Sequence, residues 1–249
     1  LKLEALRFGD AGGKLDAQIN LNGRSTPMLG RAKLTARNFK LKQLFPTFEP
    51  MKTSFGELNG DATLSGTGNS VAKLLGTANG GLKMIINDGA ISRSLMEIAG
   101  LNVGNYVVGK IFGDEDVKIN CAAADFGIKD GLATSQLFVF DTENAIIYID
   151  GTANFATEQL DLKITPESKG LRLFSLRSPL YVKGTFGNPS AGVEAVPLLL
   201  RGAGMVALGV IAGPAAGLLA LIAPSGGEPN QCAPLLQQMQ QGKVPKTVK

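Results

Sequence analysis

The sequence predicts a mainly β protein: a curved, twisted antiparallel sheet with a few short helices and an apolar helical segment near the C-terminus. Residues 117–194 show this most clearly, because turn signals interrupt runs of β-forming residues at short intervals. In one run Leu160, Leu162 and Ile164 alternate with polar residues, which places them on one side of a strand. The 32 glycines fit many turns and closely approaching strands. The turn signals are Lys129-Asp130-Gly131, Asp141-Thr142-Glu143-Asn144 and Asn188-Pro189.

The same alternation of apolar and polar residues runs through the first part of the chain, where each strand has one dry and one wet face. A second sheet could cover the dry face to make a sandwich, or the face could remain an open groove. Both arrangements need the same alternation, so both remain open at this point. Strands are predicted over residues 1–8, 14–22, 30–38, 58–65 and 81–87, with a turn at Asp88-Gly89.

Short helices interrupt the strands. One is predicted over residues 39–45, where Pro46 stops it. Ser70 is placed to cap a second helix over residues 71–75, because its hydroxyl can accept from a backbone N–H of the first turn. The main helical interruption is predicted at about residues 92–112. Its apolar side chains would plug one end of the sheet or gate a groove.

The most apolar stretch covers residues 196–223. It is long enough to cross a bilayer, which takes about 20 apolar residues. Arg201 and Pro214 argue against a simple span, so we predict two short helices with a break at Gly213-Pro214. They would pack on the open apolar face of the sheet, and contact with a membrane is the alternative. A short helix over residues 233–241 follows. The predicted domains are a β-rich domain over 1–195 and a helical segment with a tail over 196–249.

The composition excludes several kinds of chemistry. The chain has no His, which rules out Ser/His/Asp and Cys/His catalysis and His-based zinc sites. The acidic trio Asp114-Glu115-Asp116 is more typical of a solvated loop than of a calcium site. The net charge is only +4 and the basic residues are scattered, so nucleic-acid binding is not indicated. An enzyme that uses a carboxylate or a Lys is the remaining alternative, but it needs clustered polar residues in the groove and the sequence shows none at useful spacing. We therefore expect no catalytic residue, no cofactor and no metal site.

The two cysteines, Cys121 and Cys232, are 111 positions apart and form no CxxC motif. They are either two buried thiols or, in an oxidising compartment, a disulfide that ties the C-terminal tail to the sheet. The chain starts in a strand-like run without a leader pattern, so we expect it to be part of a longer protein.

Several stretches, taken together and in order, resemble the C-terminal part of the AsmA family. The resemblance covers roughly residues 1–240, and its motifs are structural rather than catalytic. The stretches are LNGDATLSGTGNSVAKLLGTANGGLKMIINDGAIS (58–92), INCAAADFGIKDG (119–131), FDT (140–142), LDLKITPESKGLRLFSLRSPLYVKGTF (160–186) with Asn188-Pro189 close behind, and Asn230-Gln231-Cys232.

The resemblance implies a β-rich protein on the periplasmic face of the inner membrane of a Gram-negative bacterium. An N-terminal transmembrane helix, missing here, would anchor it. Relatives of this kind are implicated in moving phospholipid toward the outer membrane, or in outer-membrane assembly. The oxidising periplasm favours the disulfide between Cys121 and Cys232.

The function we expect is therefore a non-enzymatic, groove-forming role in phospholipid transport and outer-membrane homeostasis. The expected partners are phospholipid, the inner membrane and outer-membrane components. The alternative is a structural or assembly factor for outer-membrane protein insertion that carries no lipid. Ordinary core residues are the competing interpretation for each candidate groove residue. The candidate groove residues are Ile85, Phe138, Phe140, Ile147 and Ile149.

Overall fold

Eleven strands form one open antiparallel sheet, in which every strand pairs with its neighbours in the sequence. The structure is a computed structural model, and it describes residues 2–8, 13–40, 56–91, 117–143, 145–168, 180–193, 208–219, 221 and 232–241. Within these residues the strands make no second sheet, so the open arrangement is observed and the sandwich is not. The strands are β1 (Lys2–Phe8), β2 (Lys14–Asn22), β3 (Leu29–Lys40), β4 (Glu57–Thr67), β5 (Asn79–Ile91), β6 (Val117–Lys129), β7 (Leu132–Thr142), β8 (Ala145–Asn154), β9 (Gln159–Ser168), β10 (Leu180–Thr185) and β11 (Asn188–Val193).

The two-residue connection between β6 and β7 is the turn predicted at Asp130-Gly131. Both residues have positive φ, 49° and 76°, as a type I′ turn requires. Lys129 therefore pairs directly with Leu132 across the turn. A loop of this length sets the register of the two strands beside it.

Two expectations about β3 and β5 are corrected. Asp88-Gly89 is not a turn, because β5 continues through it and Gly89 pairs with Ile119 of β6. Phe39 is not helical but lies near the end of β3, where it is buried and pairs with Leu58. Lys40, also predicted helical, ends β3 and pairs with Glu57. Residues 41–45 of the predicted helix, the interruption at 92–112 and the acidic trio at 114–116 lie outside the described residues.

The turn predicted at Asn188-Pro189 is displaced by two residues. The chain turns at Phe186-Gly187, and Asn188 begins β11. Pro189 pairs with Gly184 of β10. Proline lacks a backbone N–H, but it is tolerated on a strand at the edge of a sheet, which β11 is among the described strands.

The described residues form three helices beside the sheet: α1 (Val71–Gly76), α2 (Leu208–Leu219) and α3 (Cys232–Gln240). Helix α1 is capped as predicted, since the Ser70 hydroxyl accepts from the Lys73 backbone N–H at 3.2 Å. The predicted break at Gly213-Pro214 is wrong, because α2 continues through both residues. A proline inside a helix costs about 3 kcal/mol. We attribute the intact helix to packing, since Leu218 is fully buried in the core.

Helices α2 and α3 pack on one face of the sheet, over β5, β6 and β7. A disulfide joins Cys121 of β6 to Cys232, the first residue of α3, with 4.9 Å between their Cα atoms. We call this the helix-side face. The core between helices and sheet consists of buried residues from both, namely Ile85, Cys121, Ala123, Leu137, Val139, Ile146, Ala215, Leu218, Leu221, Cys232, Leu235, Leu236 and Met239.

Candidate functional site

The opposite side of the sheet, which we call the far face, carries apolar side chains from β2 to β11. The assignment of residues to this face follows from the cross-strand register, because directly paired residues share a face. One row crosses five neighbouring strands without a polar residue, and other strands extend the surface on either side. That row is Ala17, Leu34, Ala62, Leu82 and Phe126, and further far-face residues are Leu15, Ala36, Met84, Ala124, Phe138, Phe140, Ile147, Ile149, Leu162, Ile164, Leu180, Val182 and Ala191.

Three phenylalanine rings form a ridge in the middle of the far face. The Phe126 and Phe138 centroids are 5.3 Å apart, and the Phe138 and Phe140 centroids are 5.2 Å apart. All three side chains remain partly exposed, whereas Ala122 and Ala124 between them are buried. The face therefore has large apolar side chains standing above small ones, with shallow depressions between them.

Four of the five candidate groove residues lie on the far face. Phe138, Phe140 and Ile149 are partly exposed there. Ile147 is only 2% exposed, and it packs in a small cluster with Ala145 and Leu180. Ile147 therefore supports the surface from below more than it lines it.

The fifth candidate, Ile85, is placed elsewhere by the structure. It pairs with Ala123, is fully buried, and belongs to the core beneath α2 and α3. Its neighbours Met84 and Ile86 lie on the far face, paired with Ala124 and Ala122. The predicted position of the C-terminal helices is also corrected, because they cover the helix-side face and not the continuous apolar one.

Sequence reasoning also missed Met84, Ile86 and Phe126. The signal that could have found Phe126 is the turn at Asp130-Gly131. Alternate residues of a strand share a face, so Ile128, two residues before the turn, lies on the same face as Phe126. This places Phe126 on the far face, where it forms part of the ridge.

Backbone irregularities interrupt the regular pleat of the central strands. The register shifts between β6 and β7 and again between β7 and β8, which are the marks of β-bulges. Gly151 of β8 has φ of +137°, and a Cβ there would collide with the Asp161 backbone oxygen of β9. Bulges and such glycines bend strands and increase local twist. The irregularities therefore bend the sheet near the phenylalanine ridge.

Charged side chains of β3 and β4 project from the helix-side face. Arg37 donates to both carboxylate oxygens of Asp61 at 2.9 Å, and to the Gly60 carbonyl oxygen at 2.9 Å. Lys83 forms an ion pair with Asp125, whose side chain is 3% exposed. The helix-side face therefore carries ion pairs as well as the apolar core beneath the helices, whereas the described far-face residues are mainly apolar.

Three groups of β8 and β9 have perturbed acidity. Burial raises the pKa of the Tyr148 phenol above its ordinary value, and the negative charges of Glu167 and Asp141 raise it further. Burial also raises the pKa of the Asp150 carboxyl, against the opposing effect of Lys163. The pKa of the Glu167 carboxyl is raised by burial. Tyr148, Asp150 and Glu167 follow the helix-side register, so these shifts do not concern the far face.

Two absences can be stated for the part of the chain that is described. No three or more Cys, Asp or Glu residues there are grouped so that they could hold a metal ion. No described helix has both the length and the apolar character needed to span a membrane.

An open antiparallel sheet with ion pairs on one face and a mainly apolar surface on the other defines a sheet-scaffold protein with a hydrophobic platform. The model of the AsmA family matches residues 1–138. The AsmA family protein YhjG of Escherichia coli (strain K12) is 60% identical over 239 residues, which are 96% of this chain and 35% of that relative. The chain belongs to the AsmA family. No solved structure matches it significantly.

Proposed function

We propose that the far face binds phospholipid, and that this chain is part of a non-enzymatic periplasmic protein that carries lipid between the inner and outer membranes. The observation that carries the proposal is the continuous, uncharged apolar surface from β2 to β11, with its partly exposed phenylalanine ridge. Soluble proteins rarely expose large contiguous apolar surfaces unless these bind something. Acyl chains are the ligand that such a surface suits.

The dimensions of the sheet support the proposal. Strand β8 has 10 residues, and at about 3.3 Å per residue it is roughly 33 Å long. An acyl chain in one leaflet extends about 15 Å, half of the roughly 30 Å hydrocarbon core. Eleven strands at about 4.8 Å spacing extend roughly 48 Å in the other direction. A phospholipid therefore fits on the face, and several fit side by side.

The energetics need no specific polar site. Each CH₂ group removed from water contributes about 0.8 kcal/mol, so two acyl chains are held by hydrocarbon contact while the headgroup stays hydrated. We accordingly propose broad lipid selectivity and no catalytic residue. This chain spans 35% of the length of the E. coli relative. We propose that a membrane anchor and further strands belong to the remainder of such a protein. The disulfide is consistent with the oxidising periplasm.

The test is native mass spectrometry with lipid extraction, on the chain purified without detergent from a phospholipid-containing host. The variants are Phe138→Asp and Ile149→Asp, which place a carboxylate on the far face at partly exposed positions. The matched control is Thr134→Asp, in the same strand as Phe138 but exposed and in the helix-side register.

We expect phospholipid on the wild-type chain and on Thr134→Asp, and at least about threefold less on the two far-face variants, because burying an unpaired carboxylate against acyl chains is costly. Circular dichroism should show that all four proteins are folded. A folded, lipid-free wild-type chain that also takes up no added phospholipid would refute the proposal. That result would favour the alternative, a structural or assembly factor for outer-membrane protein insertion without lipid cargo.

A further inference from the structure

The exposed large apolar residues of the described chain gather at one edge of the sheet. They are Val71 at the start of α1 (73% exposed), Leu132 after the β6–β7 turn (38%) and Phe186 in the β10–β11 turn (40%). All three lie where β4, β6, β8 and β10 end and β5, β7, β9 and β11 begin. We call this the turn edge, formed by residues 23–28, 68–78, 129–132, 155–158 and 186–187.

The connections of the turn edge form one hydrogen-bonded row. The Gly131 N–H donates to the Ala78 carbonyl at 2.9 Å, and the Phe155 N–H donates to the Gly131 carbonyl at 2.8 Å. Further along, the Phe186 N–H donates to the Glu158 carbonyl at 2.9 Å. These backbone hydrogen bonds fix the positions of the connections relative to one another. The exposed apolar side chains that the connections carry therefore have fixed relative positions.

The turn edge is continuous with the far face. Phe155 packs against Ile128 and Ala133, which are far-face residues, and its ring lies 6.2 Å from the ring of Phe186. Apolar side chains therefore connect the far face with the last turn, from Ile128 through Phe155 to Phe186.

The charges of the turn edge and of the strand end beside it suit an anionic surface. Arg24, Lys73 and Lys129 are exposed there, against two exposed acids, Asp130 and Glu158. Apolar tips flanked by basic side chains are the arrangement by which proteins sit at the headgroup region of a bilayer.

We propose that the turn edge contacts the surface of an anionic phospholipid bilayer, with Val71, Leu132 and Phe186 in the headgroup region and the basic side chains near the phosphates. This inference rests on the proposed function, since it names the edge through which the far face exchanges lipid with a membrane. The contact itself is separable from cargo binding and is tested separately.

The experiment is co-sedimentation of the full chain with protein-free vesicles of phosphatidylethanolamine and phosphatidylglycerol at low salt. The double variant Leu132→Ser/Phe186→Ser should bind about tenfold more weakly, since each side chain loses its burial in the headgroup region. The variant Lys73→Gln/Lys129→Gln, at exposed positions, should also bind about tenfold more weakly, and wild-type binding should weaken as salt screens the charges. The matched control is Lys33→Gln, at an exposed lysine of β3 in the helix-side register and away from the turn edge, and it should bind vesicles like the wild type.

The outcomes separate this inference from the proposed function. If Phe138→Asp loses extracted lipid, while both turn-edge variants lose vesicle binding but keep their extracted lipid and Lys33→Gln keeps both, both proposals stand. If cargo is present but neither turn-edge variant changes vesicle binding, or the wild type ignores vesicles, the turn edge is not the contact and this inference fails alone. If the wild type carries no cargo but its vesicle binding depends on the turn edge, the proposed function fails alone. Binding to membranes only when they contain protein would refute the bilayer contact and indicate a protein partner.

Discussion

Ile85 and Ile86 are consecutive in β5, and their side chains belong to different parts of the molecule. Ile85 is fully buried beneath α2 and α3, while Ile86 packs with Phe140 on the far face. Their partners on β6, Ala123 and Ala122, are divided in the same way. A step of one residue along β5 thus leads from the core beneath the helices to the proposed lipid surface.

The same substitution at these two positions should have opposite consequences. Ile85→Ala should lower the free energy of unfolding by about 3 kcal/mol, because it leaves a cavity in a packed core, and should leave bound lipid per folded molecule unchanged. Ile86→Ala should cost only about 1 kcal/mol and should reduce bound lipid. Urea denaturation and lipid extraction measure the two effects. Equal loss of lipid in both variants would contradict the assignment of faces.

This pair also explains where sequence reasoning succeeded and where it did not. In β2 the far-face residues Leu15 and Ala17 alternate with polar residues that face water, so the dry face was readable. In β5 to β8 the helices bury the second face as well, and runs such as Met84-Ile85-Ile86 are apolar on both sides. The alternation of apolar and polar residues then cannot tell which side chains face the helices and which lie on the far face. The register comes from turns, bulges and packing, which periodicity does not contain.

The local signals were the most reliable. The cap at Ser70 and the turn at Asp130-Gly131 depend on neighbouring residues only, and both are observed. The predicted turn at Asp88-Gly89 failed because pairing of β5 with β6 prevails over the local preference. The predicted break at Pro214 failed for the same kind of reason, since packing outweighs the cost of the proline.

Removing the disulfide should destabilise the chain strongly. The loop between Cys121 and Cys232 spans 111 positions, and in the chain-entropy model closing such a loop contributes about 5 kcal/mol. We expect Cys121→Ala/Cys232→Ala to lose about 2–5 kcal/mol in urea denaturation. Adding reductant should destabilise the wild type by a similar amount and leave the double variant unaffected. A reductant-insensitive wild type would show that the disulfide is not formed in solution.

The ion pair between Lys83 and Asp125 should be necessary for the packing of α2. Asp125 is almost completely buried, and a Cβ at Gly217 of α2 would lie 3.1 Å from the Lys83 ammonium nitrogen. Lys83→Met leaves the carboxylate without its partner and should cost about 2 kcal/mol, less than for a fully buried pair because Lys83 is partly solvated. The double variant Lys83→Met/Asp125→Leu should recover most of that loss in thermal or urea denaturation. Failure to recover would mean that the lysine stem, and not the charge, is what matters.

Tyr148 should be replaceable with a gain in stability. Its hydroxyl oxygen is buried and has no hydrogen-bond partner among the described residues. Tyr148→Phe should therefore raise the free energy of unfolding by about 1 kcal/mol at neutral pH. Urea denaturation at pH 7 measures the change, and a clear loss of stability would reveal a partner for the hydroxyl.

The same tyrosine predicts a pH dependence. Its pKa is raised in the folded state because burial, and then Glu167 and Asp141, disfavour the phenolate. The unfolded chain loses this proton near pH 10 while the folded chain keeps it. Retention of the phenol proton in the folded state therefore costs the protein no stability below about pH 10. As the pH rises further, the unfolded chain gains from losing this proton, and the free energy of unfolding of the wild type falls. Above that pH the wild type should lose stability more steeply than Tyr148→Phe, and parallel curves would contradict the shift.

Within the described residues the strands follow one another in the sheet in the order in which they occur in the chain. Adding or deleting a hairpin at either side would therefore leave every existing strand pair intact, whereas a fold with crossover connections would have to rearrange. Each hairpin changes the width of the sheet by roughly 10 Å, two strand spacings. Duplication or loss of hairpins can therefore change the width of the apolar face in steps of two strands, and with it the distance that the face spans.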